Sequence, residues 1–261
     1  MIRSIVFFLF VSSLGWAQEK PETTVDVAAR PKGGKEDVEF VFRSQVIYPE
    51  ALLKQKIAQD VAIYFTVTAT GEVRDVNFRQ TYETAFQAEA RRLLRYVVFE
   101  PAKIGTKPVE STSFLVFSFD PDKYRKFTKM RGFTIPKDQA LYDTTFVIYE
   151  RADKSPQYEK GDDALPEFIL SNLEYPDLAI RQNIQGTVVV SFVVEPNGTV
   201  SNMVAEKEFS QLCTAEAFRI MRQTRWKPAE KDGKKVRYQS KYPIIFNLNN
   251  INKDNSMSEQ R

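Results

Sequence analysis

The sequence predicts an α+β fold built from two tandem copies of one small unit, and two observations carry this prediction. When Gly34 is paired with Gly161, residues 34–119 align with residues 161–246 without a gap, and we call these segments the first and the second repeat. Of the 86 paired positions, 22 are identical. Each repeat also combines apolar residues at helical spacing with β-branched runs of strand length. Identity at this density without an insertion is hard to obtain from composition alone, so we expect one domain to be present twice.

A helix is predicted at the start of each repeat. Its apolar residues fall at i, i+3, i+4 and i+8, which puts them on one helical face. A Tyr-Pro pair ends it at Pro49 and Pro176, because a residue before proline is pushed out of the α region. Short helices are then expected over 50–56 and 177–183. The matched apolar positions are Val38, Val41, Phe42 and Val46 in the first repeat and Leu165, Phe168, Ile169 and Leu173 in the second.

A β-hairpin is predicted next in each repeat. Two β-branched and aromatic runs are separated by a turn signal, and the Asn197-Gly198 pair of the second repeat is the strongest short-range form of that signal. The first strands are 61–67 and 188–194, the turns are Thr70-Gly71 and Asn197-Gly198, and the second strands are 73–78 and 200–204.

An amphipathic helix and a last strand are predicted to complete each repeat, which gives a three-stranded antiparallel sheet with helices on one face. The helices are expected over 86–97 and 213–224, and the last strands over 109–119 and 236–248. Four arginines of these helices are interpreted as a solvated basic face; they are Arg92, Arg95, Arg219 and Arg222.

The segments around the repeats are assigned by composition. The first domain is predicted over 18–119, a polar linker over 120–143 and the second domain over 144–248. A tail over 249–261, rich in Asn, Ser and Lys, is predicted to be disordered. A match that needs a gap, between 23–27 and 144–148, indicates an extra strand before each repeat.

The first residues indicate export from the cytoplasm. Arg3 precedes an apolar run of about a dozen residues, and small residues follow at Gly15 and Ala17. This pattern predicts a cleaved signal peptide over 1–17 and a periplasmic protein. A retained membrane anchor is the alternative, although a spanning helix needs about 20 apolar residues.

Composition excludes several classes of function. The chain has no His and one cysteine, Cys213, which removes most zinc, haem and iron–sulfur sites and the Ser-His-Asp and Cys-His arrangements. A formal net charge of +3 over 261 residues does not indicate a nucleic-acid partner. We therefore expect no catalytic residues, no cofactor and no metal, and a protein that is not an enzyme.

The second repeat contains a series of short motifs. They are Tyr175-Pro176-Asp177-Leu178-Ala179, Gln185-Gly186-Thr187-Val188-Val189-Val190, Asn197-Gly198, Ala217-Phe218-Arg219, Trp226-Lys227-Pro228-Ala229, Asp232-Gly233-Lys234 and Pro243-Ile244-Ile245-Phe246. With these motifs the second repeat resembles the C-terminal domain of TonB-family energy transducers. In the first repeat, Gln59, Thr70 and Val116 stand where the second has Gly186, Asn197 and Pro243, so it resembles the same domain as a degenerate copy.

This resemblance implies a binding function in the cell envelope. Such domains bind the N-terminal plug segment of outer-membrane transporters by adding a peptide strand to the edge of their sheet. The transducers that carry them are anchored in the inner membrane, have a proline-rich spacer and work with ExbB and ExbD. The 13 prolines of this chain are scattered and do not form a spacer, so the resemblance favours the binding module over the transducer.

The last strand of each repeat is predicted to be the partner-binding edge, because an outer strand presents unpaired N–H and C=O groups to an incoming strand. Pro243 indicates an edge over 241–248, since proline is tolerated there. If its missing N–H points outward, the first edge is the more complete template. The candidate residues are Ser113, Phe114, Leu115, Val116, Phe117, Lys241, Tyr242, Ile244, Ile245 and Phe246.

Other conspicuous side chains are interpreted as structural. The acidic pairs Glu36-Asp37 and Asp162-Asp163 are expected at helix N-termini, where they complement the helix dipole. Cys213 is expected to be a packed or capping residue. Four aromatic residues near prolines are expected to pack in the cores and not to form a peptide platform; they are Tyr48, Phe99, Tyr175 and Trp226.

Three functions remain open on this basis. The first is a periplasmic protein-binding module that engages an extended segment of an outer-membrane TonB-dependent transporter or another envelope protein. The second is an anchored energy transducer that works with ExbB and ExbD. The third is an envelope scaffold in which the two domains pack together and bury their edges. A homodimer is also left open.

Overall fold

The structure is a computed structural model that describes residues 25–80, 82–133, 135 and 140–250. The predicted signal peptide, residues 1–17, and residues 251–261 of the predicted tail lie outside this range. Within the part of the chain that is described, the search for a helix with the length and apolar character of a membrane span finds none.

The first repeat and its flanking segments follow the predicted order of helices and strands. The elements are β1 Arg30–Pro31, α1 Gly34–Gln45, α2 Glu50–Lys54, β2 Gln59–Val67, β3 Val73–Asn77, α3 Thr84–Leu94, β4 Phe99–Glu100, β5 Ala102–Ile104, β6 Lys107–Val109, β7 Ser111–Phe119 and α4 Pro121–Arg131.

The second repeat has the same order of elements. They are β8 Ile148–Tyr149, β9 Gln157–Tyr158, α5 Ala164–Asn172, α6 Asp177–Arg181, β10 Gly186–Val194, β11 Val200–Lys207, α7 Gln211–Met221, β12 Trp226–Lys227, β13 Ala229–Lys231, β14 Lys234–Phe246 and a 3-10 turn Leu248–Asn250.

The two main sheets differ in size. The first has the predicted three antiparallel strands in the order β3-β2-β7, whereas the second has the order β11-β10-β14-β13, with β8 added in parallel on β14. The prediction of three strands is therefore wrong for the second sheet. The reason is that β14 runs without a break from Lys234 and pairs back onto β13, while the equivalent strand of the first repeat is interrupted at Glu110.

The strand registers of the two repeats follow the same offset that aligns their sequences. Gln59 pairs with Phe119 in the first sheet, and Gly186 pairs with Phe246 in the second. The correspondence extends to the segments before the repeats, where β1 pairs with β4 as β9 pairs with β12. An isolated bridge near the start of the described chain has its counterpart at this offset as well. The gapped match of 23–27 with 144–148 is therefore wrong, since the ungapped offset continues. The two equivalent bridges are Val27 to Lys103 and Lys154 to Glu230.

Each sheet is covered by its helices over a compact apolar core. The four aromatic residues predicted to pack are buried or half-buried against these cores, and Cys213 is buried in the second core. The hydroxyl groups of Tyr48 and Tyr175 both donate to backbone carbonyls, of Ile57 and Ile184 respectively. Structural roles for these residues are therefore confirmed.

The segment predicted as a linker contains a helix, α4, which is not among the elements predicted from the sequence. The Asp120 side chain accepts hydrogen bonds from the amides of Asp122 (2.8 Å) and Lys123 (2.9 Å), which caps the first turn. Gly132 ends the helix with φ of 70°. Two aromatic residues of α4 pack on the first core; they are Tyr124, against Tyr48, and Phe127, against Phe42.

The arginines predicted to form a solvated face are mostly held inside the fold. Arg92 Nε donates to Glu89 Oε2 (2.8 Å), and its Nη2 donates to the carbonyl of Gln45 at the end of α1. Arg219 makes the equivalent contacts in the second repeat, and the Arg222 side chain is only 14% exposed. The prediction is wrong for Arg92 and Arg219 because a carboxylate and an open carbonyl lie within their reach, and for Arg222 because its side chain is largely buried.

A β-bulge anchors the second repeat to the first. Asn202 lies where the register of β10 with β11 shifts, and its φ is 52°. Its N–H, freed from the ladder, donates to Asp37 Oδ2 on α1 (2.6 Å). Its side chain accepts from the amide of Val98 (2.7 Å) and donates to the carbonyl of Tyr96 (2.9 Å). The bulge thus provides hydrogen-bond partners for two segments of the first repeat, the start of α1 and the residues that follow α3.

The hairpin turn of the second repeat adds a second group of contacts. Gln45 Nε2 donates to Thr199 Oγ1 (2.9 Å), and Asn197 Nδ2 donates to Gln45 Oε1 (3.0 Å). Phe40 of α1 packs against the second core. The two repeats therefore meet mainly through α1 and β11, and Arg237 of β14 adds hydrogen bonds to the carbonyls of Arg95 and Tyr96.

Asp37 is expected to make the stability of the protein depend on pH. Its side chain is 1% exposed, so burial raises its pKa from 3.8 to about 7, with Asn202, Arg222 and Glu195 as the groups that face it. Between about pH 4 and pH 7 the folded protein keeps a proton that the unfolded chain has lost, so stability is lost as the pH rises. We expect Asp37→Asn to remove a fall of about 2–4 kcal/mol between pH 4 and pH 8.

Urea unfolding at both pH values measures this effect. The exposed Asp163, at the start of α5, provides the control, since Asp163→Asn removes a carboxylate without touching the contact. An unchanged pH dependence in Asp37→Asn would show that the carboxyl titrates normally.

Candidate functional site

Strand β7 is the outer strand of the first sheet. It pairs with β2 along its whole length, and no strand among the described residues lies on its other side. The side chains of Phe117 and Phe119 point into the core, whereas Phe114 and Val116 on the opposite face are 57% and 51% exposed. An open edge and an apolar surface therefore lie on the same strand.

The hydrogen bonds of β2 fix the direction of the backbone groups of β7. The amide of Thr68 donates to Glu72 across the β2–β3 hairpin (2.9 Å). The backbone N–H and C=O groups of successive residues in a strand point to opposite neighbouring strands. Counted back from Thr68, those of every second residue of β2 therefore point toward β3. The amide of Ala62 agrees with this rule, since it donates to the hydroxyl of Tyr82 (3.3 Å) and not to β7.

The residues of β7 opposite these positions must therefore point outward. Ala62 lies opposite Val116 in a pair without mutual hydrogen bonds, so the N–H and C=O of Val116 face away from the sheet. Four residues of β7 share this direction, and no described residue hydrogen-bonds to their backbone groups. They are Thr112, Phe114, Val116 and Ser118.

Strand β14 is open over a shorter stretch. The amide of Glu195 donates to Thr199 (2.8 Å), so by the same rule Pro243 points outward. Residues 234–236 are covered by β13, and the parallel pairing of Tyr149 with Tyr238 engages the outward groups of Arg237 and Gln239. The open edge in the described part of the chain therefore begins at Lys241.

The missing N–H of Pro243 reduces what this second edge offers. Lys241 and Ile245 carry the outward N–H groups of the stretch, with Pro243 between them. A groove of about 190 Å³ runs beside this edge, and Pro166, Leu170 and Ile245 are among its lining residues. Among the described residues, the first edge thus presents four outward N–H groups, one on every second residue, whereas the second edge presents two.

The residues predicted for the edges fall into two groups. Those with outward backbone groups are Phe114, Val116, Lys241 and Ile245, whereas Ser113, Leu115, Phe117, Tyr242, Ile244 and Phe246 bond inward to the neighbouring strand. Thr112 and Ser118 also point outward and were missed. The two-residue period counted from the hairpin turn is the signal that identifies them.

The arrangement suits strand pairing. A row of free N–H and C=O groups can bind an extended chain by main-chain hydrogen bonds. Groups of three or more His, Cys, Asp or Glu that could hold a metal are absent from the part of the chain that is described. Fold and edge together define a class of small α+β units whose last strand is open for pairing.

Comparison with known proteins gives a family match in one part of the chain. Residues 171–248 match the family model described as Gram-negative bacterial TonB protein C-terminal. The matched residues include α6, α7 and the strands β10 to β14, and with them the open edge that begins at Lys241. Over this part, the chain is similar to the TonB C-terminal domain.

Comparison with solved structures finds a match over part of the chain. The solution NMR structure of the Pseudomonas aeruginosa TonB CTD matches at 25% sequence identity with a TM-score of 0.26, over 29% of this chain and 77% of that one. A search of curated proteins finds no match.

Proposed function

We propose that this protein is a periplasmic binding module that takes up an extended segment of an envelope partner by adding it as a strand to an open sheet edge. The partner class that the family match supports is the TonB-dependent transporter of the outer membrane. The observation that carries the proposal is the unoccupied row of outward backbone groups on β7 and on the end of β14.

We further propose that the first repeat is a second, diverged TonB C-terminal-like domain. The constant offset between equivalent strand pairs supports this reading, as do the matching contacts of Arg92 and Arg219. The domains would then span 18–119 and 144–248, and α4 would connect them in the segment 120–143. Each domain would offer its own edge, and the edge of β7 would be the more complete template.

The side chains of β7 indicate what kind of segment fits there. Phe114 stacks on Tyr64 of β2 with a centroid separation of 5.5 Å, and the guanidinium of Arg79 lies 4.1 Å from the centre of the Tyr64 ring. A strand added beside β7 would set its own side chains next to Phe114 and Val116 on this face. We therefore expect a segment that alternates, with β-branched or aromatic residues toward this face.

The scaffold alternative is less well supported by the contact between the repeats. A scaffold of the kind considered above would bury its edges between the domains. The observed contact instead uses α1, the turn at Asn197 and the bulge at Asn202. Both edges stay available in the described part of the chain, which favours binding.

Exchanging one residue between the two edges tests the proposal. Val116→Pro should weaken binding at β7 roughly 3- to 10-fold, because it removes one outward hydrogen bond of about 1 kcal/mol and leaves the β2–β7 ladder intact. Pro243→Val should strengthen binding at β14 by a similar factor. The ligand is a synthetic peptide covering the plug segment of a TonB-dependent transporter from the same bacterium, and calorimetry gives the affinities.

Hydrogen exchange locates the peptide. On binding we expect slower exchange at the amides of Phe114 and Val116, while the inward amide of Leu115 changes little. Val116→Thr keeps the N–H and serves as the matched control. Equal affinity of Val116→Pro and Val116→Thr, or protection away from both edges, would reject strand addition.

A further inference from the structure

A cleft of about 400 Å³ lies between the two repeats. It is lined by residues of α1, of α4 and of the chain that follows α7. Four of the lining side chains are arginines, namely Arg43, Arg131, Arg222 and Arg225. No acidic residue is among the described residues that line the cleft. The cleft therefore concentrates positive charge in a protein whose formal net charge is only +3.

Two of these arginines have buried donors without a partner. Arg222 has no hydrogen-bond acceptor for Nε or Nη2, and Arg225 has none for Nη1, although these atoms are buried. Arg222 Nη1 reaches only the exposed Glu36, at 3.3 Å. Burial also lowers the pKa of the Arg225 guanidinium. A buried donor on a charged group that has no acceptor raises the free energy of the folded protein. Such donors therefore mark a place where a ligand could supply the acceptor.

The unpartnered atoms of Arg222, Nε and Nη2, form the side of the guanidinium that binds an oxyanion with two parallel hydrogen bonds. In Arg219, one turn earlier on the same helix, the equivalent Nε and Nη2 atoms donate to the carboxylate of Glu216 at 2.6 and 2.8 Å. Arg222 has no such side-on pair: among the described residues, its one hydrogen bond to a carboxylate is that from Nη1 to Glu36, and Asp37 acts on it only through its charge. The geometry of a guanidinium matches the oxygens of a carboxylate or phosphate in this side-on arrangement.

The depth of the cleft favours an anion with more than one charge. Arg131 is 7% exposed and is fixed by donating to the carbonyls of Phe133 (3.1 Å) and Val46 (3.0 Å), so its charge is held in place at the wall. A phosphate group carries close to two negative charges and three acceptor oxygens at neutral pH. The side chains of Phe127 and Met130 form an apolar wall beside the arginines, and Met130 is 73% exposed.

We propose that this cleft binds the phosphate group of a ligand, with Arg222 and Arg225 as its main donors and the wall of Phe127 and Met130 as the seat for an attached apolar portion. The volume of about 400 Å³ lies in the range of small-molecule sites. The phosphate can come from a soluble compound or from a lipid headgroup, and the test separates these sources.

Calorimetric titration with inorganic pyrophosphate and co-sedimentation with vesicles form the two arms of the experiment. We expect binding to be weakened roughly tenfold by Arg222→Gln and by Arg225→Gln, because each variant loses hydrogen bonds to a charged group. Arg181→Gln removes the same charge from an exposed position of α6 and should bind as the unmodified protein does. Circular dichroism of each variant verifies the fold.

The vesicle arm compares phosphatidylglycerol with phosphatidylcholine. Binding of pyrophosphate alone indicates a soluble ligand, and additional, arginine-dependent binding of phosphatidylglycerol indicates a lipid; either result supports the phosphate site. An acidic peptide is titrated in parallel. The proposal is overturned if the cleft variants bind pyrophosphate as Arg181→Gln does, if nothing binds at millimolar concentration, or if the peptide alone binds in an Arg222-dependent manner.

Discussion

Replacing Arg237 by methionine is expected to lower the free energy of unfolding by about 3–5 kcal/mol, because it leaves a buried carboxylate without its partner. Glu195 is 0% exposed and Arg237 is 3% exposed. The pair is bidentate, with Arg237 Nε at 2.9 Å from Oε2 and Nη2 at 2.9 Å from Oε1. The same guanidinium donates to the carbonyls of Tyr96 (2.9 Å) and Arg95 (3.2 Å) in the first repeat.

This side chain therefore couples the two repeats as well as stabilising the second. We expect chemical unfolding of Arg237→Met to separate into two transitions where the unmodified protein shows one. The double variant Glu195→Gln with Arg237→Met should recover part of the loss, since no charge is then buried alone. If the single variant unfolds in one transition at an unchanged midpoint, the pair contributes nothing to stability.

Replacing Gly198 by alanine is expected to cost about 3 kcal/mol or more. Gly198 has φ of 79°, which costs an L residue about 1–2 kcal/mol. A methyl group on it would also overlap the backbone carbonyl oxygen of Trp226, an atom that can move only with its strand. The amide of Trp226 donates to the carbonyl of Gly198 (3.0 Å), so the two segments are held in register at this point.

A second glycine of the same repeat separates the two contributions. Gly233 has φ of 72°, but no atom lies within 4 Å of the position that its methyl group would take. Thermal unfolding of Gly233→Ala should therefore show only the conformational cost of about 1–2 kcal/mol. Equal losses in the two variants would mean that the contact with Trp226 relaxes freely.

The elements inside the repeats could be predicted from the sequence because each depends on a local pattern. The apolar spacing gives the helices, and the β-branched runs with their turn signals give the hairpins. Helix α4 was missed for a physical reason. Its charged residues leave only a narrow apolar face, formed by Tyr124 and Phe127, so its helicity depends on packing against the first core.

The contacts between distant segments could not be predicted in the same way. The parallel pairing of β8 with β14 joins a two-residue strand to a long strand far along the chain, and a two-residue strand has no detectable period. The bulge at Asn202 appears in the sequence as an ordinary polar residue of a strand. Its role arises from a left-handed backbone that frees an N–H for Asp37.

The candidate edges were predictable in position and only in part in direction. Pro243 indicated an edge, and the open stretch does begin at Lys241. Which residues face outward depends on the register between neighbouring strands. That register is a long-range property, which explains why the predicted list mixes residues of both directions.

The contact made by the bulge has a consequence for assembly. It is heterologous, because the bulge of the second repeat meets the helix start of the first, and contacts of this kind can propagate into open filaments. A further copy would have to set the exposed bulge at Asp75 against α5, where Ala164 replaces Asp37. The acceptor carboxylate is thus absent at one end, and the bulge at the other carries an aspartate in place of an asparagine. We therefore expect the contact between the repeats not to be repeated between copies of this chain.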